Sequence, residues 1–151
     1  MMTTIALLIA TVYWVTAPSA NCSWYSVPPE GGLTASGAMY YPGDLICASP
    51  GLPLGTILRL YNPTNGIWLD VRCIDRGPFK TDLDGYATYP LEPHPTRQFD
   101  LSTAAFDSLG NLDDGVMTLR YRILRRDVEG LVYNLGEFDE AACYREDLSH
   151  W

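Results

Sequence analysis

The sequence has no apolar run long enough to span a membrane comfortably. The longest, Ile5 to Val15, has eleven residues, whereas a transmembrane helix needs about 20. Small residues follow this run and end at Ala20, in the pattern that signal peptidase cleaves. We therefore expect residues 1–20 to be a signal peptide, with no stable membrane span after its removal. The alternative is an uncleaved membrane anchor, because no Lys or Arg precedes the run.

Metal-binding residues are also scarce. The chain has two histidines and four cysteines, and no two cysteines form a C-x-x-C pair, so we expect no metal site and no cofactor. An even number of cysteines in an exported chain predicts two disulfides, with three possible connectivities. We favour Cys47–Cys73 between the middle strands and Cys22–Cys143 between the chain ends.

Positively charged residues are also few. The net charge is −8, from 18 acidic and 10 basic residues. Residues 127–151 hold seven acids against one base, Arg145. This balance argues against a nucleic-acid partner. It predicts an acidic C-terminal extension, residues 127–151, after one globular domain, residues 21–126.

The pattern of the remaining residues predicts a mainly β domain. Eleven prolines and thirteen glycines favour many turns and short strands over long helices. Ser102 and Gly110 carry the signals that begin and end one short helix. Strands are predicted at Cys22–Tyr25, Leu45–Ala48, Ile57–Tyr61, Ile67–Asp75 and Val116–Leu124.

Two aspartates stand out as candidate catalytic residues. Asp75 closes an apolar-alternating strand and is followed by an arginine and a Gly-Pro turn, and Asp100 comes shortly before the helix cap. Two carboxylates at the ends of strands, one with a neighbouring arginine, suit acid–base chemistry on a polar substrate. The alternative for each is a structural role, holding loop amides or the start of the helix.

Several motifs, in this order, resemble the RlpA-like double-psi β-barrel family. They are Ser23-Trp24-Tyr25, Thr34-Ala35-Ser36-Gly37, Leu52-Pro53-Leu54-Gly55-Thr56, Asn65-Gly66, Asp75-Arg76-Gly77-Pro78-Phe79 and Asp100-Leu101-Ser102. The resemblance covers residues 22–124 and implies a six-stranded double-psi β-barrel with one or two short helices. It also implies an open groove for a wall polysaccharide, since RlpA proteins are lytic transglycosylases on peptidoglycan and expansins share the barrel.

The sequence departs from the RlpA pattern at two positions associated with catalysis. Ala38 stands where RlpA has a glutamate, and Ser49 stands where it has a histidine. Alanine cannot transfer a proton, so the departure predicts weak or altered lytic turnover. Glu30 and Asp44 are the nearby acids that could replace the missing glutamate, whereas His94 is expected to be exposed.

The resemblance and the insert between the two aspartate motifs supply the candidate substrate-binding residues. Residues 80–98 are longer than the corresponding RlpA segment, and their tyrosines could stack on sugar rings while Arg97 meets a carboxylate or acetamido oxygen. Alternatively, the insert is a surface loop packed by its own aromatic residues. The candidates are Tyr25, Thr34, Ser36, Arg76, Tyr86, Tyr89 and Arg97.

Three functions stay open at this point. The first is an exported, RlpA-like protein that binds or remodels cell-wall polysaccharide, with weak cleavage by Asp75 and Asp100. The second is an expansin-like module that loosens polysaccharides without cleaving them, in which Thr34 would help to hold the glycan. The third is a non-catalytic, barwin-like binding module or effector.

Overall fold

The protein is described here from a computed structural model that covers residues 13–125. None of the helices in this range has the length and apolar character needed to cross a bilayer. The predicted acidic extension and Cys143 lie outside the described residues.

Within residues 13–125 the named elements are eight strands, one α-helix and one 3-10 helix, and residues 13–15 are also helical. In chain order these are β1 Ser19–Tyr25, β2 Gly32–Leu33, β3 Met39–Tyr40, β4 Ile46–Ala48, β5 Ile57–Tyr61, β6 Trp68–Asp75, β7 Phe99–Ser102, α1 Thr103–Leu109, the 3-10 helix Leu112–Asp114 and β8 Met117–Arg125.

Six strands close into a barrel in the order β1-β7-β4-β6-β5-β8. The pairs β1–β7 and β4–β6 are parallel, and the other neighbours are antiparallel. Closure leaves no unpaired strand edge. This is the double-psi β-barrel that the motifs imply.

The barrel interior is filled by residues that alternate along each strand. Leu58, Leu60, Val71, Leu101 and Leu119 are fully buried there. The predicted alternation in β8 is confirmed, because Met117 and Leu119 are buried while Tyr121 and Ile123 pack against the core. A second cluster lies under the β2–β3 hairpin and consists of Tyr40, Ile46 and Ile74.

The turn and cap signals act where the sequence places them. Gly66 has a φ of 77° in the turn between β5 and β6, a conformation that glycine adopts without steric cost. The Ser102 side chain accepts a hydrogen bond from the Ala105 amide and caps α1. Gly110 is the C-terminal cap residue.

One local expectation was wrong. Asp100 is not at the end of a strand, since it is the second residue of β7 and pairs with Ser23 of β1. This strand is short, and its pairing partners lie on β1 and β4, far away in the sequence, so local patterning gives it little signal.

The predicted Cys47–Cys73 disulfide is also not formed. The two residues are partners on the parallel strands β4 and β6, but both thiols are free, as is that of Cys22. All three lie in the barrel interior and pack there as small apolar groups. Burial raises the pKa of the Cys22 thiol far above its ordinary value, which keeps it protonated.

Candidate functional site

The candidate site is a row of four residues that crosses four neighbouring strands. Ser23 of β1 pairs with Asp100 of β7, Asp100 pairs with Ala48 of β4, and Ala48 pairs with Asp75 of β6. Cys22 and Leu101, the neighbours of Ser23 and Asp100, fill the interior, so alternation places Ser23 and Asp100 on the outer face of the barrel. The register shifts between Cys47 and Ala48, so alternation does not place Asp75. Its position is given by Tyr25, which lies two residues after Ser23 on β1 and whose hydroxyl donates to Asp75.

Ala48 separates the two aspartates by one strand on each side. Neighbouring strands lie about 4.8 Å apart, so the two α-carbons are about 10 Å apart. Ala48 itself is buried, at 4% exposure. The two aspartates therefore lie on strands on either side of a small buried residue.

Asp100 is held by a hydroxyl and a guanidinium. The Ser23 hydroxyl donates a short hydrogen bond to Asp100 Oδ1. Arg97 Nη1 donates to Ser23 Oγ at 2.6 Å and lies 3.6 Å from the same Asp100 oxygen. Asp100 Oδ2 has no hydrogen-bond partner within residues 13–125. The arrangement fixes an anionic carboxylate and leaves one of its oxygens for a ligand.

Asp75 is held more completely. Its Oδ1 accepts hydrogen bonds from the Ala35 amide at 2.9 Å and the Arg76 amide at 2.8 Å. Its Oδ2 accepts one from the Tyr25 hydroxyl at 3.2 Å. All three partners donate to Asp75, which is the pattern of an ionised carboxylate.

Tyr25 is a fixed hydrogen-bond donor in this site. Burial, and then the negative charge of Asp75, raise the pKa of its hydroxyl far above the ordinary value. Its ring packs against that of Tyr40, with ring centroids 5.2 Å apart. The predicted ligand-binding residue Tyr25 therefore lies in the site and orients Asp75.

Sequence reasoning missed Ser23 and chose Thr34 as the hydroxyl of the groove. Thr34 is almost fully buried, and its hydroxyl donates to the Ala38 carbonyl at 2.8 Å and pairs with Ser36 Oγ at 2.9 Å. Ser36 Oγ in turn accepts a hydrogen bond from the Ala38 amide at 3.3 Å. The two hydroxyls thus shape the loop that delivers the Ala35 amide to Asp75. Ser23 is as buried as Thr34, at 6% exposure each, and what distinguishes its hydroxyl is the hydrogen bond that it donates to Asp100.

Arg76 lies beside the site but its guanidinium supports a loop. Nη1 donates to the carbonyl of Leu52 and, at 3.4 Å, to that of Ser49. Only its backbone amide contacts Asp75. The Arg76 side chain, which was predicted to bind substrate, therefore supports the loop that contains Ser49 and Leu52.

The positions that depart from the RlpA pattern are both near Asp75. The Ser49 amide donates to the Asp75 carbonyl at 3.1 Å, but the Ser49 hydroxyl accepts from the amides of Gly51 and Leu52. Ala38 packs against the second core cluster. Neither residue offers a group that transfers protons.

The acids proposed as replacements are not in the row. The Asp44 carboxylate accepts a hydrogen bond from the Tyr41 amide at 2.7 Å and closes its own turn. Glu30 is exposed in the turn that precedes β2. No hydrogen bond or ion pair within residues 13–125 joins either carboxylate to Asp75 or Asp100.

The insert between the aspartates forms an irregular hairpin. The pairs Phe79–Pro93 and Thr81–Ala87 make isolated antiparallel bridges along it. Its outer part exposes Tyr86 (74%) and Tyr89 (86%). The hairpin leaves the barrel just after Asp75 and returns just before Asp100, so it is attached at the site.

His94 fixes the return of this hairpin. Its Nδ1 accepts hydrogen bonds from the amides of Thr96 and Arg97, each at 3.2 Å. Its own amide donates to the Pro78 carbonyl at 3.0 Å. His94 is half-buried rather than exposed as predicted, and it orients the turn from which Arg97 reaches Asp100.

No group of three or more His, Cys, Asp or Glu residues within 13–125 is placed to hold a metal ion. The polar side chains of the site are two carboxylates, one arginine and the hydroxyls of Ser23 and Tyr25.

Solved structures share the fold. A Streptomyces papain inhibitor is 21% identical with a TM-score of 0.53, covering 73% of this chain and 96% of that one. The apo expansin of Clavibacter michiganensis is 20% identical with a TM-score of 0.52, covering 75% and 52%. A variant of that expansin in complex with cellohexaose has a TM-score of 0.50 at 16% identity, covering 75% and 54%.

Curated sequences show closer relationships. The chain is 34% identical over 103 residues to a probable endolytic peptidoglycan transglycosylase RlpA of Aquifex aeolicus, covering 68% of this chain and 39% of that protein. It is 30% identical over 109 residues to the endolytic peptidoglycan transglycosylase RlpA of Vibrio cholerae, covering 72% and 36%. The chain thus spans well under half the length of these relatives. A family model described as lytic transglycolase matches residues 18–121, and the chain belongs to this family.

Proposed function

We propose that the groove binds a glycan strand of the cell wall around Asp100 and cleaves it weakly or not at all. The observation that carries the proposal is the free Oδ2 oxygen of Asp100, on a carboxylate that Ser23 and Arg97 hold in place. A fixed carboxylate oxygen is a strong acceptor for sugar hydroxyl or acetamido N–H groups. Relatives named as peptidoglycan transglycosylases favour peptidoglycan as the polymer. Because this polymer lies outside the cytoplasm, the proposal includes export of the protein.

The insert adds a second contact for the same ligand. Tyr86 and Tyr89 are highly exposed on a hairpin attached at both aspartates. Aromatic rings offer flat apolar faces, which suit the C–H face of a sugar ring. The proposed binding residues are therefore Asp100, Ser23, Arg97 and these two tyrosines.

The proposal of weak cleavage follows from the proton balance of the lytic step. That step protonates the glycosidic oxygen, removes the proton of the sugar's 6-hydroxyl and forms a 1,6-anhydro ring. Asp75 and Asp100 each accept hydrogen bonds from protein donors, so neither is arranged as the acid. Loss of a positioned acid–base group typically costs about 10²–10⁴-fold in rate.

An expansin-like, non-hydrolytic action is the second candidate. It is favoured by the Ser23–Asp100 hydrogen bond, which builds a binding centre without a proton donor. A fold relative, the expansin variant, is described in complex with cellohexaose, which supports testing a β-glucan. Cellulose therefore belongs in the test beside peptidoglycan.

The test compares wild type with Asp100→Asn on denuded peptidoglycan strands and on cellulose. We expect wild type to co-sediment with one polymer and Asp100→Asn to bind at least about tenfold more weakly, a loss of about 1.4 kcal/mol. Asp107→Asn, the same change on an exposed residue of α1, is the matched control and should bind normally.

Product analysis separates the candidates. Abundant glycan fragments ending in a 1,6-anhydro sugar from wild type, absent with Asp100→Asn, would show a competent transglycosylase and contradict weak cleavage. Binding without product supports the expansin-like action. If wild type binds neither polymer, the glycan proposal fails and the barwin-like module gains support.

A further inference from the structure

Residues 13–17 pack on the outer face of β5 and β8. The Trp14 ring stacks on that of Tyr61, with centroids 4.7 Å apart and an interplanar angle of 13°. The Arg122 guanidinium lies 4.2 Å from the centroid of the Tyr13 ring and donates to Thr16 Oγ1 at 2.8 Å. Arg120 donates to the Ala17 carbonyl at 2.8 Å. The end of the apolar run is therefore bound to the barrel by an aromatic stack, a cation–π contact and hydrogen bonds from two arginines.

The following residues form part of the barrel itself. Ala17 and Ala20 are 2% and 1% exposed. The Tyr121 amide donates to the Pro18 carbonyl at 3.0 Å. Ser19 pairs with Arg120, and Ala20 pairs with Leu119. The predicted cleavage point after Ala20 thus falls inside β1.

Cleavage there would remove two of the four register pairs between β1 and β8. The β1–β8 seam closes the barrel, so cleavage would leave Leu119 and Arg120 of β8 without their partners on β1, as an unpaired strand edge. Arg120 and Arg122 would lose the acceptors described above. Because a leader is cleaved before the protein folds, the folded barrel cannot protect the bond after Ala20 from cleavage. The consequence of cleavage is that the mature protein would lack the first two residues of β1.

We propose that residues 13–20 are retained in the mature protein and strap the β1–β8 seam. Any processing then occurs before Tyr13, and the chain is not cut after Ala20. This inference does not depend on what the groove binds. If processing is absent altogether, the apolar run stays joined to the barrel, as the alternative of an uncleaved anchor requires.

The test is the N-terminus of the full chain after export. The full chain with a C-terminal tag is produced in a bacterium, recovered from the envelope and from the medium, and analysed by intact mass and N-terminal sequencing. An intact N-terminus, or one before Tyr13, supports the proposal. A mature chain that begins at Asn21, or anywhere after Tyr13, overturns it.

A second measurement tests the strap directly. Trp14→Ala removes the stack on Tyr61 and should lower Tm by a few degrees. Val15→Ala is the matched control, because Val15 is 67% exposed and its truncation should leave Tm unchanged. Equal Tm values for wild type and both variants would contradict the role of the segment as a strap.

Discussion

Two arginine–aspartate pairs on the barrel surface differ in what their carboxylates leave free. Arg59 and Asp70 join β5 to β6 through two hydrogen bonds of 2.8 and 2.9 Å. Arg97 meets Asp100 at 3.6 Å, with the Ser23 hydroxyl in contact with both. The two pairs are buried to a similar extent. The side-chain exposure is 26% for Arg59 and 10% for Asp70, and 28% for Arg97 and 19% for Asp100.

The two pairs differ in whether the arginine occupies both oxygens of the carboxylate, and this difference separates a structural ion pair from a candidate binding site. Arg59 engages both oxygens of Asp70 and also lies 4.3 Å from the Trp68 ring centroid, so the pair is closed and serves the sheet. In the second pair the arginine and the serine share one oxygen of Asp100. The comparison predicts that stability depends on Asp70 and binding on Asp100.

The largest effect on stability is expected from Asp70→Asn. The change removes the charge from a bidentate pair, and a hydrogen bond to a charged group contributes about 1.5–3 kcal/mol. Urea unfolding should show a free energy of unfolding lower by about that amount, while glycan binding stays unchanged. Asp100→Asn should show the reverse pattern. If both variants lose stability equally and keep binding, the distinction between the pairs is wrong.

Arg97→Gln should have a moderate effect that is confined to binding. Glutamine can still donate a hydrogen bond to Ser23 but lacks the charge that holds Asp100, so glycan affinity should fall about three- to tenfold, or about 0.7–1.4 kcal/mol. The matched control is Lys80→Gln, which removes an exposed cation paired with Glu92 on the insert. Co-sedimentation at several polymer concentrations measures both. A larger loss for Lys80→Gln would place the binding surface near Lys80 and Glu92 rather than at Asp100.

The smallest effect is expected from Tyr25→Phe, and it depends on pH. The pKa of Tyr25 is raised in the folded protein by burial and by Asp75, from an ordinary value of 10.0. Above about pH 10 the unfolded chain loses this proton while the folded protein keeps it, so stability falls as pH rises.

The phenylalanine variant lacks this contribution. Its free energy of unfolding should therefore decrease less between pH 8 and pH 11 than that of wild type, measured by urea unfolding at each pH. The buried Cys22 thiol has a raised pKa in both proteins, so the comparison cancels its contribution. Parallel pH profiles would show that Tyr25 does not couple folding to pH.

Much of the barrel was predictable from sequence because its signals are local. The alternation in β8, the Asn65-Gly66 turn and the Ser102 cap each depend on residues close together in the chain. The same holds for Asp75 at the end of β6. The short strand β7 was missed because its pairing partners lie on β1 and β4.

The site was predictable in location but not in its contacts. The row of paired strands brings both predicted aspartates together, and Tyr25 and Arg97 contact them. Substrate binding by these residues stays a prediction. The sequence could not show that Arg76 supports a loop, that the Ser23 hydroxyl contacts Asp100, or that His94 orients the Arg97 turn. Such assignments depend on which tertiary contacts the polar ends of the side chains make, and local sequence patterns do not specify these contacts.

By itself, the sequence determined the periodic strands, the turns and the membership of the family, since these follow from residue order. Tertiary structure alone decided which oxygen of Asp100 has no hydrogen-bond partner within residues 13–125, and that Ala20 lies inside β1. Each of these depends on residues about 75 to 100 positions apart, such as Ser23 with Asp100 and Ala20 with Leu119. Only closure of the barrel brings such residues into contact.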